Sequence, residues 1–169
     1  MLSDVTTPQD LDENLRSRLE ELTVPEGERP DPAAPLREGS ALTGELARQI
    51  LEAQFASRHL DLAARWLRSF DAGFYTVGSS GHEGNAAVAA ALSPTDPAML
   101  HYRSGAFYCV RAGQVPGTDP VSDVLRGLVA SSFEPLTGGR EKIFGSTALN
   151  VIPVSSPGGS HLPRAVGVA

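Results

Sequence analysis

Residues 73–85 read Gly-Phe-Tyr-Thr-Val-Gly-Ser-Ser-Gly-His-Glu-Gly-Asn, and no other segment constrains the fold as much. Phe74 to Val77 is aromatic and β-branched, the composition of a strand on a half-buried pleated surface. It runs into Gly78, Gly81 and Gly84, each separated from the next by two residues, and then into a helix of small residues from Ala86 to Leu92. Ser80 and Glu83 stand at the spacing of a capping box, which satisfies free N–H groups at a helix start. Alanines on the helix leave room for another backbone to approach closely.

The rest of the chain is read around this unit. A helix is expected from Asp10 to Leu22, with Leu15, Leu19 and Leu22 on one face. Pro25, Pro30, Pro32 and Pro35 interrupt regular structure after it. Residues 1–40 therefore read as a flexible or arm-like tail, and 41–169 as the folded domain. Thr43 is the expected N-cap of a long helix with Glu45 in its first turn and Arg65 and Arg68 in its last. Leu60, Ala63, Leu67 and Phe70 form one apolar stripe on it; Leu51, Phe55, Leu62 and Trp66 form another. Two stripes predict burial on more than one side.

After the alanine helix, Ser93-Pro94 is a stop and Ala98 to Tyr102 a second short strand. Gly105 to Ala112 reads as helix. Asp119-Pro120 opens another, with Val121, Val124, Leu125, Leu128 and Val129 at helical spacing. From Glu134 to Ser160 the chain is rich in glycine and proline and reads as loop, and a loop this long in a compact domain is usually functional. A last helix is expected from Leu162. It ends at Ala169 without a cap, which reads as a truncated chain.

Composition removes whole classes of function. The chain has 169 residues, 41% hydrophobic and 20% charged, which fits a soluble globular domain. A formal charge of −6 and arginines scattered without a run, Arg48 to Arg164 among them, disfavour nucleic acid as the main partner, and none is expected. No apolar stretch approaches the about 20 residues of a membrane span, and no signal or transit peptide is visible at the polar amino terminus. Cys109 stands alone, so no internal disulfide forms, and a reducing, cytoplasmic location is expected.

Spacing disposes of several motifs. Gly78-Ser79-Ser80-Gly81 lacks the frame of a nucleophile elbow. His82-Glu83 is followed by Ala86 where a zincin needs histidine. His59, His82, His101 and His161 have no metal-ligand spacing with Cys109. No Gly-Lys-Ser/Thr is present, so there is no phosphate-binding P-loop. Gly78, Gly81 and Gly84 have the strand-to-helix context of a dinucleotide loop but not its G-x-G-x-x-G spacing, and a plain tight turn is the competing reading. Leu100-His101-Tyr102-Arg103 places an arginine at a strand end ahead of a helix start. A surface role and an internal ion pair are open for it, and so is an anion, because such positions hold phosphates and a guanidinium suits a diphosphate.

Taken in order, Gly-His-Glu-Gly after an aromatic strand, Tyr102-Arg103, the loop Gly138-Gly139-Arg140, and Ser155-Ser156-Pro157 ahead of Leu-Pro-Arg-Ala-Val-Gly resemble a known family. It is the alpha-type subunit of the thiamine-diphosphate-dependent 2-oxo acid dehydrogenases, the E1 component, in its branched-chain class. The resemblance spans about Phe74 to Ala169. It implies an α/β fold, an incomplete thiamine-diphosphate-binding fold that is mostly helical as it stands. The implied activity is oxidative decarboxylation of a 2-oxo acid with acyl transfer to lipoyl groups. The implied partners are a beta-type half or subunit and a lipoyl-bearing acyltransferase, in a homo- or hetero-oligomer.

Carried over by position, His101, Tyr102 and Arg103 lie against the cofactor diphosphate, and Ser156 and Gly158 approach the aminopyrimidine. Ser155, Pro157, Ser160 and His161 match the residues that hold potassium, and Phe74 falls in the acyl pocket. The magnesium motif Gly-Asp-Gly and the glutamate that activates the aminopyrimidine are not in this sequence, so no catalytic residue is assigned. The competing expectation is a non-catalytic fragment or assembly module that packs on a partner.

Overall fold

The computed structural model describes residues 8–23, 26–155 and 158–169, and it is mostly helical. The order is α1 (Pro8–Glu20), α2 (Gly44–Arg68), α3 (Asn85–Ala91), α4 (Gly105–Gly113), α5 (Pro120–Leu128) and α6 (His161–Val168). The chain divides into two compact units, one ending at Asp31 and the other running from Pro32 to Ala169. The first is essentially α1, whose Leu15 and Leu19 remain exposed. In the second, the proline segment folds back on the start of α2. Leu36 N donates to Leu42 O at 2.8 Å, Glu45 N donates to Pro32 O at 2.8 Å, and Pro35 and Thr43 form an antiparallel bridge.

Helix α4 is the centre of the core. Its sequence is apolar on every side apart from Arg111, the pattern of a helix surrounded by protein, and Gly105 to Ala112 are all buried. Helices α2, α3 and α5 pack around it. Small residues set the spacing: Ala86, Ala89 and Ala106 are fully buried, and a Cβ on Gly105 would stand 2.5 Å from the Ser57 hydroxyl of α2. Leu100, Phe144, Leu149 and Val151 close the other side, each large side chain contributing about 1.5–3 kcal/mol by burial. Arg111 is wholly buried, and its Nη1 donates to the carbonyls of Pro94, Asp96 and Leu149 at 3.2, 2.9 and 3.1 Å. One guanidinium thus ties the loop after α3 to the loop around Leu149.

The caps of two helices match their sequence signals. Thr43 accepts from Leu46 N at 3.1 Å, and Asp119 accepts from Ser122 N at 3.1 Å ahead of Pro120. Three other expectations are corrected. Phe74–Val77 is extended but joins no ladder, and of Ala98–Tyr102 only Ala98 bridges, in parallel with Val151. A strand exists only where a neighbour takes its alternating N–H and C=O groups, and among the described residues bridging is confined to isolated pairs.

Ser80 and Glu83 make no capping box. Gly84 is the N-cap of α3; Ser80 Oγ and Glu83 Oε1 turn toward Arg58 of α2, and Glu83 Oε2 accepts from Gly81 N at 2.8 Å. Nor is α2 buried on two sides: its buried face is Ala53, Ser57, Leu60 and Ala64, while Leu51, Leu62, Trp66 and Phe70 are exposed. No described helix is long and apolar enough to cross a membrane.

Candidate functional site

The loop from Gly78 to Gly84 is held from one face of α2. Gln54, Ser57, Arg58 and Asp61 share that face at i, i+3, i+4 and i+7. Asp61 Oδ2 accepts from Ser79 N at 2.8 Å and from Ser79 Oγ at 2.9 Å, and Ser57 Oγ lies 2.6 Å from Ser79 Oγ. Arg58 Nη1 donates to Ser80 Oγ at 2.8 Å and its Nη2 pairs with Glu83 Oε1 at 2.6 Å, while Gln54 Nε2 donates to Glu83 O at 3.2 Å. Gly78 has to be glycine here, because a Cβ would stand 2.5 Å from the Asp61 carboxyl carbon. None of these four α2 residues was anticipated as part of a site. Their signal was present in the sequence as a polar stripe on an otherwise amphipathic helix.

Against this loop lies the segment before α4. Arg103 Nη1 donates to Gly78 O at 2.6 Å, and its guanidinium sits 5.4 Å from the Tyr102 ring centroid. Its Nε and Nη2 have no partner among the described residues. The His101 ring stacks on His82 with centroids 6.0 Å apart and touches the Tyr102 ring at 3.9 Å. Burial holds the His101 imidazole below its usual range, and the charges of His82, Arg103, His161 and Lys142 depress it further. Four basic groups from four parts of the chain therefore act on His101. Ser104, the N-cap of α4, makes no side-chain cap bond, and Asn85 of α3 instead accepts from Phe107 N at 3.0 Å.

Lys142 closes the far side, its Nζ donating to Tyr102 O at 2.9 Å. Glu134 builds the turn that carries it. Burial opposes the charge of Glu134, but bonds from Thr137 N, Leu136 N and Thr137 Oγ1 hold its carboxyl below the usual range.

The sequence-expected residues are only partly brought together. His101, Tyr102 and Arg103 form the cluster, and His161, at the start of α6, acts on it through its charge. Ser155 and Ser160 meet, Ser160 Oγ donating to Ser155 O at 3.0 Å. Gly158 is exposed. Ser156 and Pro157 lie outside the described residues. Phe74 is 65% exposed, with only its backbone engaged, Phe74 N donating to Leu128 O. No three His, Cys, Asp or Glu side chains among the described residues stand together as a metal site.

A diphosphate fits this donor set. Arg103 keeps donors uncommitted beside the start of α4, whose own N-cap Ser104 makes no side-chain cap bond, and a guanidinium with free donors suits a diphosphate. The chain matches no protein-family model, no curated protein and no solved structure.

Proposed function

We propose that this chain supplies the diphosphate-facing part of a thiamine-diphosphate site in a 2-oxo acid dehydrogenase E1 component, within an α/β thiamine-diphosphate-binding fold. The observation that carries the reading is the convergence of Arg103, His101, His82, His161 and Lys142 beside the glycine loop and the start of α4. Bound thiamine diphosphate supplies the carbanion-stabilising chemistry of 2-oxo acid decarboxylation. The residues of this chain orient it: Arg103 bonds the diphosphate, His101 and Tyr102 shield it, and Ser155 and Ser160 offer oxygens for potassium. Magnesium and the activating glutamate come from sequence other than this. A beta-type partner completes the site and covers Phe74, a lipoyl-bearing acyltransferase takes the acyl group, and the reaction is cytoplasmic.

A second reading has its own support. The exposed apolar faces of α2 and α6 favour an assembly module that docks on a partner without binding cofactor. Calorimetric titration with thiamine, thiamine monophosphate and thiamine diphosphate, at fixed magnesium and potassium, separates the two. A diphosphate-anchored site binds in the order diphosphate, monophosphate, thiamine, with about tenfold or more per phosphate, since a charge-assisted bond is worth about 1.5–3 kcal/mol. Equal affinity for all three, or no heat with any, supports the assembly reading.

A further inference from the structure

Between α4, α5 and the loop after Glu134 lies a cavity of about 390 Å³ that the diphosphate reading does not use. Its volume falls within the about 300–1,000 Å³ usual for small-molecule sites. Val124, Leu136 and Phe144 give it an apolar wall, and the Phe144 ring packs on that of Tyr108 with centroids 5.1 Å apart. Tyr108 and Phe144 are each 3% exposed, so this wall is set into the core.

The polar groups of the wall are chiefly acceptors. The Tyr108 hydroxyl donates to Asp123 Oδ2 at 3.1 Å, and Asp123 Oδ1 accepts from Arg126 Nη1 at 3.3 Å. Each carboxylate oxygen has two lone pairs, so both keep room for a further donor. Burial and the Asp123 charge raise the Tyr108 phenol, with a bond from Ser146 working the other way, so the phenol keeps its proton. That proton goes to Asp123, which leaves the phenol oxygen as an acceptor. Glu134 adds negative charge, its oxygens already taken up by Leu136 N, Thr137 N and Thr137 Oγ1. Lys142 meets the cavity with its stem, packed against Gly127, while its Nζ donates to Tyr102 O. The wall thus joins apolar surface to a carboxylate with open lone pairs.

We propose that this cavity binds a small primary ammonium compound with a short apolar chain, its N–H groups on Asp123 and the Tyr108 oxygen and its chain against Val124, Leu136 and Phe144. An ammonium carries three donors and no acceptor, which matches what the wall leaves open. Its bond to a carboxylate is charge-assisted, and so stronger than the neutral bond an alcohol makes. A carboxylate or phosphate ligand would face Asp123 and Glu134 and be repelled.

Calorimetric titration of the whole chain with n-butylammonium, n-butanol and butyrate, with amide NMR shifts followed alongside, tests the proposal. Butylammonium should bind with a Kd of about 1 mM or below, within reach of so small a ligand. Butanol should bind about tenfold or more weakly, butyrate should give no heat, and the shifts should centre on Gly127, Gly145 and Ser146. Asp123→Asn keeps the side-chain size, removes the charge, and should weaken butylammonium about tenfold or more. Thr147, exposed at the edge of the cavity, gives a second variant outside the core: Thr147→Trp should also weaken binding. Equal affinity for butanol, shifts scattered over surface carboxylates, or undiminished binding by folded Asp123→Asn or Thr147→Trp overturns the proposal. Arg103 and the histidines do not enter the readout, so failure here leaves the diphosphate reading standing.

Discussion

Asp61 illustrates how a single carboxylate can organise a loop and, through it, a site. It accepts the N–H and the hydroxyl of Ser79, and that pairing turns Gly78 O toward Arg103. Asp61→Ala should cost about 1–3 kcal/mol, because the N–H and hydroxyl of the buried Ser79 lose their acceptor. Gly78→Ala should cost a similar amount by driving a methyl group into the same carboxylate. Urea unfolding measures both, and a change below about 0.5 kcal/mol in either would show that the clamp is not tight.

Lys142 gives stability a pH dependence of known sign. Its pKa is about 8 when folded and 10.5 in the ordinary state, so between those values the unfolded chain binds the extra proton and stability rises with pH. Cys109, pushed up by burial from 9.0 to about 11, works the other way above pH 9. Unfolding free energy should therefore climb by roughly 0.5–1 kcal/mol from pH 8 to 9 and then turn over. Lys142→Met should abolish the climb. A profile that falls steadily from pH 8 would contradict the buried, unpaired ammonium.

At the scale of elements, legibility followed how local the determining forces are. The N-caps Thr43 and Asp119, the buried helix α4 and the long loop after Glu134 were readable because a few neighbouring residues decide them. The strands at Phe74–Val77 and Ala98–Tyr102 were not, because pairing depends on a distant neighbour, and among the described residues Val151 alone provides one. The capping box failed for a related reason: Arg58, more than twenty residues upstream, takes the Ser80 hydroxyl and one oxygen of Glu83, while the other Glu83 oxygen accepts from Gly81 N in the preceding turn. Of the site, Tyr102 and Arg103 were legible from their place ahead of α4, whereas His82 became part of it only by stacking on His101. The α2 stripe of Gln54, Ser57, Arg58 and Asp61 went unnoticed because attention to apolar positions hides a polar face.

The molecule as a whole shows more apolar surface than a solitary domain needs. Trp66 on α2 and Phe70 just beyond it are 63% and 64% exposed, and Leu162, Val166 and Val168 on α6 are exposed as well. Covering each large side chain is worth about 1.5–3 kcal/mol, so self-association is expected at micromolar to millimolar concentration. Light scattering should report a mass above that of the monomer, and Trp66→Glu should lower it without loss of helical signal. A monodisperse monomer with a sharp thermal transition would contradict this.

The central claim is that the basic cluster around Arg103 binds a diphosphate, and the chain carries its own control for testing it. It has four histidines; His82, His101 and His161 belong to the cluster, while His59 is exposed on α2 with its Nδ1 near Phe55 O. Imidazole resonances followed by NMR during titration with thiamine diphosphate at low salt should shift for those three and stay still for His59. In Arg103→Ala the affinity should fall by about 30- to 150-fold, the equivalent of about 2–3 kcal/mol. Movement of His59 alongside the others, or undiminished binding by Arg103→Ala, would contradict the account.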